Sequence, residues 1–258
     1  MTTMHDGQRV IVTGGAAGIG LAMARAFRDA GARVAVCDAD ADAVQAVHDE
    51  GGVIARVADV TDEDAMAAFF AEVEAHFGGV DVMCANAGTG GPAGPVETLA
   101  LADWRACLSV NLDGAFLACR WAASRMKLQG SGLILLTSST AGQHGYPDRS
   151  PYATAKWGIV GLMKTLAMEL GPHGVRVNAL CPGAVEGPRM DRVIAMEAAA
   201  KGLTEDETRA LYVRGVSLRS WVKAEDIAAT ALWLASPAGA RIAGQAVAID
   251  GHTETLAP

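Results

Sequence analysis

Short runs of β-branched and apolar residues recur along the chain, and most are followed by a longer segment of helical periodicity. The runs RVIVTG (Arg9–Gly14), RVAVCD (Arg33–Asp38), VIARVADV (Val53–Val60), VDVMCANAG (Val80–Gly88), LILLTSS (Leu133–Ser139), VRVNALCPG (Val175–Gly183) and GQAVAIDG (Gly244–Gly251) read as strands. Between them GLAMARAFRDAG, EDAMAAFFAEVEAHFGG and WRACLSVNLDGAFLACRWAASRMKLQG read as helices. Strands that are apolar on both sides and joined by helices predict a parallel sheet covered on both faces. The pattern therefore predicts a doubly wound seven-stranded α/β fold. No linker divides it, so residues 1–258 are read as one domain. The rhythm breaks between about residues 184 and 223, where PRMDRVIAMEAAAKGLTEDETRALY is charged and helical. Ligands of open α/β sheets sit beyond the carboxyl ends of the strands, and this excursion leaves the sixth strand at that end. It is expected to be a helical lid over a ligand.

Composition narrows the function classes. Of the 258 residues 51% are hydrophobic, enough for a substantial core, and the formal net charge is −8 with no basic run, which argues against nucleic acid as a partner. No apolar stretch approaches the ~20 residues of a membrane helix, and the N-terminal residues lack a secretory pattern, so a cytoplasmic protein without a membrane partner is expected. The five cysteines (Cys37, Cys84, Cys107, Cys119 and Cys181) and six histidines are dispersed, so reduced thiols and no metal site are expected.

Two features carry dinucleotide chemistry. The first strand runs into TGGAAGIG (Thr13–Gly20) and then a helix. Glycine there lets a phosphate approach the main chain, and the helix start offers free N–H groups and a positive dipole end. Eighteen residues after Gly20 the second strand ends in Asp38. A carboxylate at this offset accepts hydrogen bonds from an adenosine ribose and repels a 2′-phosphate, and no arginine stands at Ala17 or Ala39 to receive one. The combination points to a Rossmann-type fold with NAD as cofactor. Asp38 can equally cap the helix that follows it.

A third feature is SPYATAK (Ser150–Lys156). Positions four apart on a helix share a face, so Tyr152 and Lys156 look the same way, and a cation beside a phenol favours the phenolate. Taken alone, this spacing is better read as a partly buried tyrosine and an unrelated surface lysine.

Together these motifs resemble the short-chain dehydrogenase/reductase family in its compact single-domain form, from Val10 to about Gly251. The resemblance rests on Thr13–Gly20, on Asp59 and Val60, on Asn86, Ala87 and Gly88, on Asn111 in SVNLDGAF, on Ser139, on Tyr152 with Lys156, and on Pro182 with Gly183. It implies that Tyr152 is the general acid/base, that Lys156 stabilises its ionised form and hydrogen-bonds the nicotinamide ribose, and that Ser139 holds the substrate oxygen. Asn111 would support a water linking Lys156 to solvent. Composition alone does not separate Ser139 from Ser138; the thirteen-residue spacing to Tyr152 selects Ser139. The implied cofactor contacts are Gly14, Ala17, Gly18, Ile19, Gly20, Asp38, Asp59, Val60, Asn86, Ala87, Gly88, Tyr152, Lys156, Pro182, Gly183 and Val185. Two positions depart from the family pattern: Ala85 replaces an asparagine, and Gly187 replaces a threonine that binds the nicotinamide carboxamide, a contact the Val185 backbone would have to supply.

The implied reaction is NAD-dependent interconversion of a small secondary alcohol and its ketone. The alternatives are an NADH-dependent carbonyl or 3-oxoacyl reductase, a halohydrin-lyase-like relative and a non-catalytic nucleotide sensor. Substrate positions are expected at Gly90, Gln143, His144, Tyr146, Arg189 and Met190. Arg189 and Arg192 are suited to an anionic substrate, or else pair with acids of the lid. Apolar residues such as Trp104, Trp121 and Trp157 lie on more than one helix face, and with the resemblance they imply a homotetramer.

Overall fold

The computed structural model describes residues 4–255, apart from the side chains of Arg189, Met196, Glu197 and Ala200. The seven apolar runs form one parallel sheet from β1 (Arg9–Thr13), β2 (Arg33–Asp38), β3 (Val53–Val57), β4 (Val82–Ala85), β5 (Gly132–Thr137), β6 (Val175–Pro182) and β7 (Ala246–Ile249). Their order is β3-β2-β1-β4-β5-β6-β7, so the winding reverses between β1 and β4.

The two-residue period of a strand sends its side chains to two different cores. Val10, Val12, Val34, Val36, Val82, Cys84, Leu133 and Leu135 face one side. There they meet helices α1 (Gly18–Asp29), α2 (Ala41–Glu50) and α9 (Ala224–Ala235) through Met23, Phe27, Val47, Ile227 and Leu234. Ile11, Ala35, Met83, Ile134 and Leu136 face the other side. They pack on α3 (Glu63–Phe77), α5 (Gly114–Gln129) and α6 (Ser150–Leu170) through Phe70, Val73, Met126, Ile159 and Met163. Helix starts and stops follow local chemistry. Asp40 and Asp62 accept hydrogen bonds from the first-turn amides of α2 and α3, and left-handed glycines Gly78 and Gly130 end α3 and α5.

The structure refines the expected boundaries. Most of the strand runs were read too long at their carboxyl ends; Gly14, Ala58–Val60, Asn86–Gly88 and Ser138–Ser139, for example, lie beyond the ladder. The single long helix expected from Trp104 is α4 (Leu101–Leu108) followed by a π-helical turn (Ser109–Asp113) and then α5. A single-turn π segment inside an α-helix has no residue signature of its own, which is why pattern reading passes over it.

The excursion after β6 contains α7 (Pro188–Lys201) and α8 (Glu205–Arg214). Its ends meet in a parallel bridge between Val185 and Val222, made by Glu186 N–H to Val222 O (2.9 Å) and Val222 N–H to Ala184 O (2.9 Å). On α5 and α6 Phe116, Leu128, Trp157 and Met168 are exposed, whereas Trp121 stacks on Phe70 at 4.6 Å. No helix among the described residues is long and apolar enough to cross a membrane.

At the amino edge of the sheet Arg9 and Asp81 lock β1 to β4. Asp81 accepts from the Arg9 backbone (2.8 Å), Nε (2.9 Å) and Nη2 (2.6 Å). Burial pushes the Asp81 carboxyl up, but these hydrogen bonds outweigh it and hold the group below the usual carboxylate range. A depressed folded-state value contributes stability above the unfolded value near ~4 that is lost as pH falls through the folded one. Asp81→Asn is therefore expected to cost about 1–3 kcal/mol at pH 7. Urea titrations of both proteins should show the difference shrinking below pH ~4; a gap that stays constant with pH would contradict the assignment.

Candidate active site

Beyond the carboxyl ends of β1 and β4, where the winding reverses, a cleft of about 820 Å³ opens. Its floor begins at the glycine turn. Gly14 has φ +61°, and a Cβ there would lie 2.7 Å from the Ala87 Cα, so only glycine lets the turn pack on the chain after β4. Gly18 has φ +51° and faces open space. Ala17 at the start of α1 provides no side-chain cap and the first turn holds no acid, so its amides are left for a ligand. Gly18, Ile19 and Gly20 of that turn line the cleft.

Asp38 also lines the cleft. Its Oδ2 accepts from Ala16 N–H (3.1 Å) and its Oδ1 from Asp40 N–H (3.3 Å). The N-cap of α2 is Asp40 and not Asp38, so the carboxylate of Asp38 is not used for capping. The glycine turn is tied across the sheet by Asn86. Its Nδ2 donates to Thr13 O (3.2 Å) and Gly14 O (3.1 Å), and its Oδ1 accepts from Thr137 Oγ1 (3.0 Å).

On the opposite wall, β5 and α6 bring the remaining polar groups together. Lys156 is buried, and its Nζ donates to Thr137 O (2.9 Å) and lies 5.6 Å from the centre of the Tyr152 ring. Ser138 Oγ is buried and donates to Lys156 O (2.8 Å), which fixes α6 on the strand end. Ser139, one residue on, lines the cleft and accepts from Ala141 N–H (3.1 Å). The two serines thus take separate tasks. The π turn carries the buried Asn111 into the same region, where its Nδ2 donates to Cys107 O (2.9 Å) and Thr89 O (3.0 Å). Asn111 Oδ1 is buried with no hydrogen-bond partner. A Cβ on Gly88 would sit 2.8 Å from that oxygen and 3.3 Å from Lys156 Nζ, so the absent side chain keeps the space between them clear.

Every residue expected at the dinucleotide and every expected catalytic residue lines this one cleft, from Gly14 through Asp59, Val60 and Ala87 to Pro182, Gly183 and Val185. The bridge at Val185 is carried by the groups of Ala184 and Glu186, not by the Val185 amide. The substrate side is less well matched. Tyr146 and Met190 line the cleft, as do Arg192 and Gly187, whereas Gly90, Gln143 and His144 do not. The Gly90 carbonyl is engaged by Arg149, and the His144 carbonyl accepts from Trp157 Nε1 (3.4 Å). The side chain of Arg189 lies outside the described atoms. Asp191, an acid of the 184–223 excursion, pairs with Arg209.

Arg149 is the functional candidate that the sequence reading passed over, although it stands three residues before Tyr152 and just after a Pro-Asp turn signal. All five cysteines are buried thiols outside any disulfide, and burial raises the Cys181 thiol, beneath the cleft, to about 11. No thiolate nucleophile is on offer there. Among the described residues no three His, Cys, Asp or Glu side chains converge as a metal site.

Known proteins match this arrangement over nearly its whole length. A family model described as enoyl-(acyl carrier protein) reductase matches residues 14–252. The D-beta-hydroxybutyrate dehydrogenase of Rhizobium meliloti (strain 1021) is 35% identical over 249 residues, 93% of this chain and 96% of that protein. In structure, a single-substitution variant of actinorhodin polyketide ketoreductase with NADPH matches with a TM-score of 0.90 at 30% identity, over 97% of this chain and 98% of that one. NAD+-bound xylitol dehydrogenase matches with a TM-score of 0.89 at 29% identity, over 96% and 99% of the two chains. The chain belongs to the short-chain dehydrogenase/reductase family. It is an oxidoreductase of that family acting on CH–OH groups.

Proposed function

We propose that the protein is an NAD-dependent dehydrogenase that interconverts a small secondary alcohol and the corresponding ketone. The observation that carries this reading is the convergence of Ser139, Tyr152 and Lys156 on the same cleft as the glycine turn and Asp38. When bound, NAD takes or returns the hydride of the carbinol carbon, which leaves only the hydroxyl proton for the protein to move.

The residues fit that cofactor. The uncapped start of α1 and the turn at Gly14–Gly20 suit a pyrophosphate. Asp38 suits the hydroxyls of the adenosine ribose and repels a 2′-phosphate, and this supports NAD although the structural neighbours include both an NAD+-bound and an NADPH-bound protein. Tyr152 exchanges the proton with the substrate oxygen, and Ser139 holds the same oxygen in place. The ammonium of Lys156 beside the Tyr152 ring stabilises the ionised phenol as the proton leaves. The unpartnered Asn111 Oδ1 is suited to accept from a water that passes this proton toward solvent. Residues 184–223 cover the substrate, with Met190 and Val193 of α7 turned to the cleft. D-beta-hydroxybutyrate, xylitol and a polyketide ketone, named for the relatives, share a carbinol or its ketone, which favours this substrate class. The exposed apolar side chains of α5 and α6 are where subunits meet in a homotetramer.

Three measurements test these assignments. Tyr152→Phe is expected to lower turnover of a secondary alcohol with NAD+ at least ~100-fold, followed by absorbance of the reduced nicotinamide, while NAD+ binding persists; a variant that keeps full turnover rejects the proton-transfer role. Asp38→Ala is expected to shift the ratio of kcat/KM for NAD+ and NADP+ toward NADP+ by ~10-fold or more, the scale of one charge-assisted contact, and an unchanged ratio removes the ribose assignment. Sedimentation equilibrium is expected to give four times the 26.5 kDa chain mass; a monomer would reject the assembly.

A further inference from the structure

Arg149 occupies an unusual position. It closes the turn Tyr146–Arg149, where its backbone N–H donates to Tyr146 O (3.3 Å), with Pro147 and a left-handed Asp148 (φ +57°) at the centre. That turn is tied twice to the loop after β4, by Gly94 N–H to Asp148 O (2.8 Å) and by Arg149 Nη2 to Gly90 O (2.9 Å). The guanidinium is therefore held by backbone geometry and not left to wander as a surface side chain does. Its carbon lies 5.7 Å from the Tyr146 ring centre and 5.6 Å from that of Tyr152. Tyr152 thus has two cations at the same distance, Lys156 and Arg149.

Arg149 lines the cleft, and its Nε is buried with no hydrogen-bond partner. No carboxylate among the described residues pairs with it. A guanidinium has five N–H donors in a planar fork, and a buried donor left unmade is costly unless a ligand completes it. The planar fork matches a carboxylate with two parallel hydrogen bonds.

We infer that Arg149 is the specificity-determining residue of the cleft and that it selects substrates carrying a carboxylate a few bonds from the reacting carbinol, that is, short hydroxy acids and their keto acids. This rests on the dehydrogenase reading above and names its substrate class. The carboxylate meets Arg149 while the hydroxyl meets Ser139 and Tyr152, so one molecule spans both groups and is fixed at two points before the proton moves.

The test pairs short 3- and 4-hydroxy acids with their methyl esters, which keep the carbinol and lose the charge. With NAD+ the wild-type protein is expected to favour each acid over its ester about 10- to 100-fold in kcat/KM. Arg149→Gln is expected to lower kcat/KM for the acid far more than for the ester, chiefly through KM, and so to remove the preference, and Arg149→Lys to keep part of it. A wild-type protein that uses ester and acid equally overturns the inference. So does an Arg149→Gln variant that loses acid and ester turnover in equal proportion, the outcome of a purely structural role. Should that variant not fold, the wild-type ratio and Arg149→Lys decide the question. Turnover of neutral alcohols such as xylitol without turnover of any acid removes the carboxylate inference and leaves the dehydrogenase reading standing. Silence with acids, esters and neutral alcohols alike defeats both.

Discussion

The site depends on a buried ammonium held by the end of a strand. Lys156 lies in the interior of the protein, where a charge is tolerated only if polar groups surround it. Thr137 O, the last carbonyl of β5, supplies one such partner. Ser138 returns the contact by donating to the Lys156 carbonyl, so strand and helix grip each other through two hydrogen bonds on consecutive residues. This lock sets the angle at which α6 leaves β5. It thereby places the Tyr152 ring above the cleft floor and leaves Ser139 on the open side. A change in that angle would separate the phenol, the hydroxyl and the glycine turn together, because Thr137 also holds Asn86, and Asn86 holds Gly14.

Much of this was legible in the chain. The alternation of Val10, Ile11 and Val12, or of Leu133, Ile134 and Leu135, announces a sheet covered on both sides, and the structure divides those residues between two cores. The glycine turn, Asp38, Tyr152 and Lys156 were identifiable because each is fixed by spacing along a single strand or helix. The errors have a common physical origin. Asn86–Gly88, Ala58–Val60 and Ser138–Ser139 read as strand because their residues are small or apolar, yet they have already left the ladder to form the rim of the cleft. Local pattern cannot tell an apolar residue that pairs with a neighbouring strand from one that faces a ligand.

Features that depend on contacts between distant segments stayed hidden. The π turn at Asn111 inserts one residue in a helix whose pattern is otherwise regular. Capping falls to Asp40 while Asp38 lines the cleft, and only the backbone geometry separates two aspartates so close in sequence. Arg149 acquires its surroundings from the loop after β4, some sixty positions earlier in the chain, so no local motif could report it. By contrast Gly90, Gln143 and His144 were assigned to the substrate by proximity in sequence, and the fold turns the carbonyls of two of them to structural tasks.

The bridge between Val185 and Val222 has a consequence for how such a protein diversifies. Because the excursion leaves and rejoins the body of the fold at one clasp, the chain beyond the clasp can lengthen, shorten or change composition with little effect on the sheet, since extra length in a loop already closed adds only slowly to its entropy cost. The roof of the cleft is thereby free to drift while the floor is held by its own packing. New tastes in substrate would arise there without any renegotiation of the chemistry beneath.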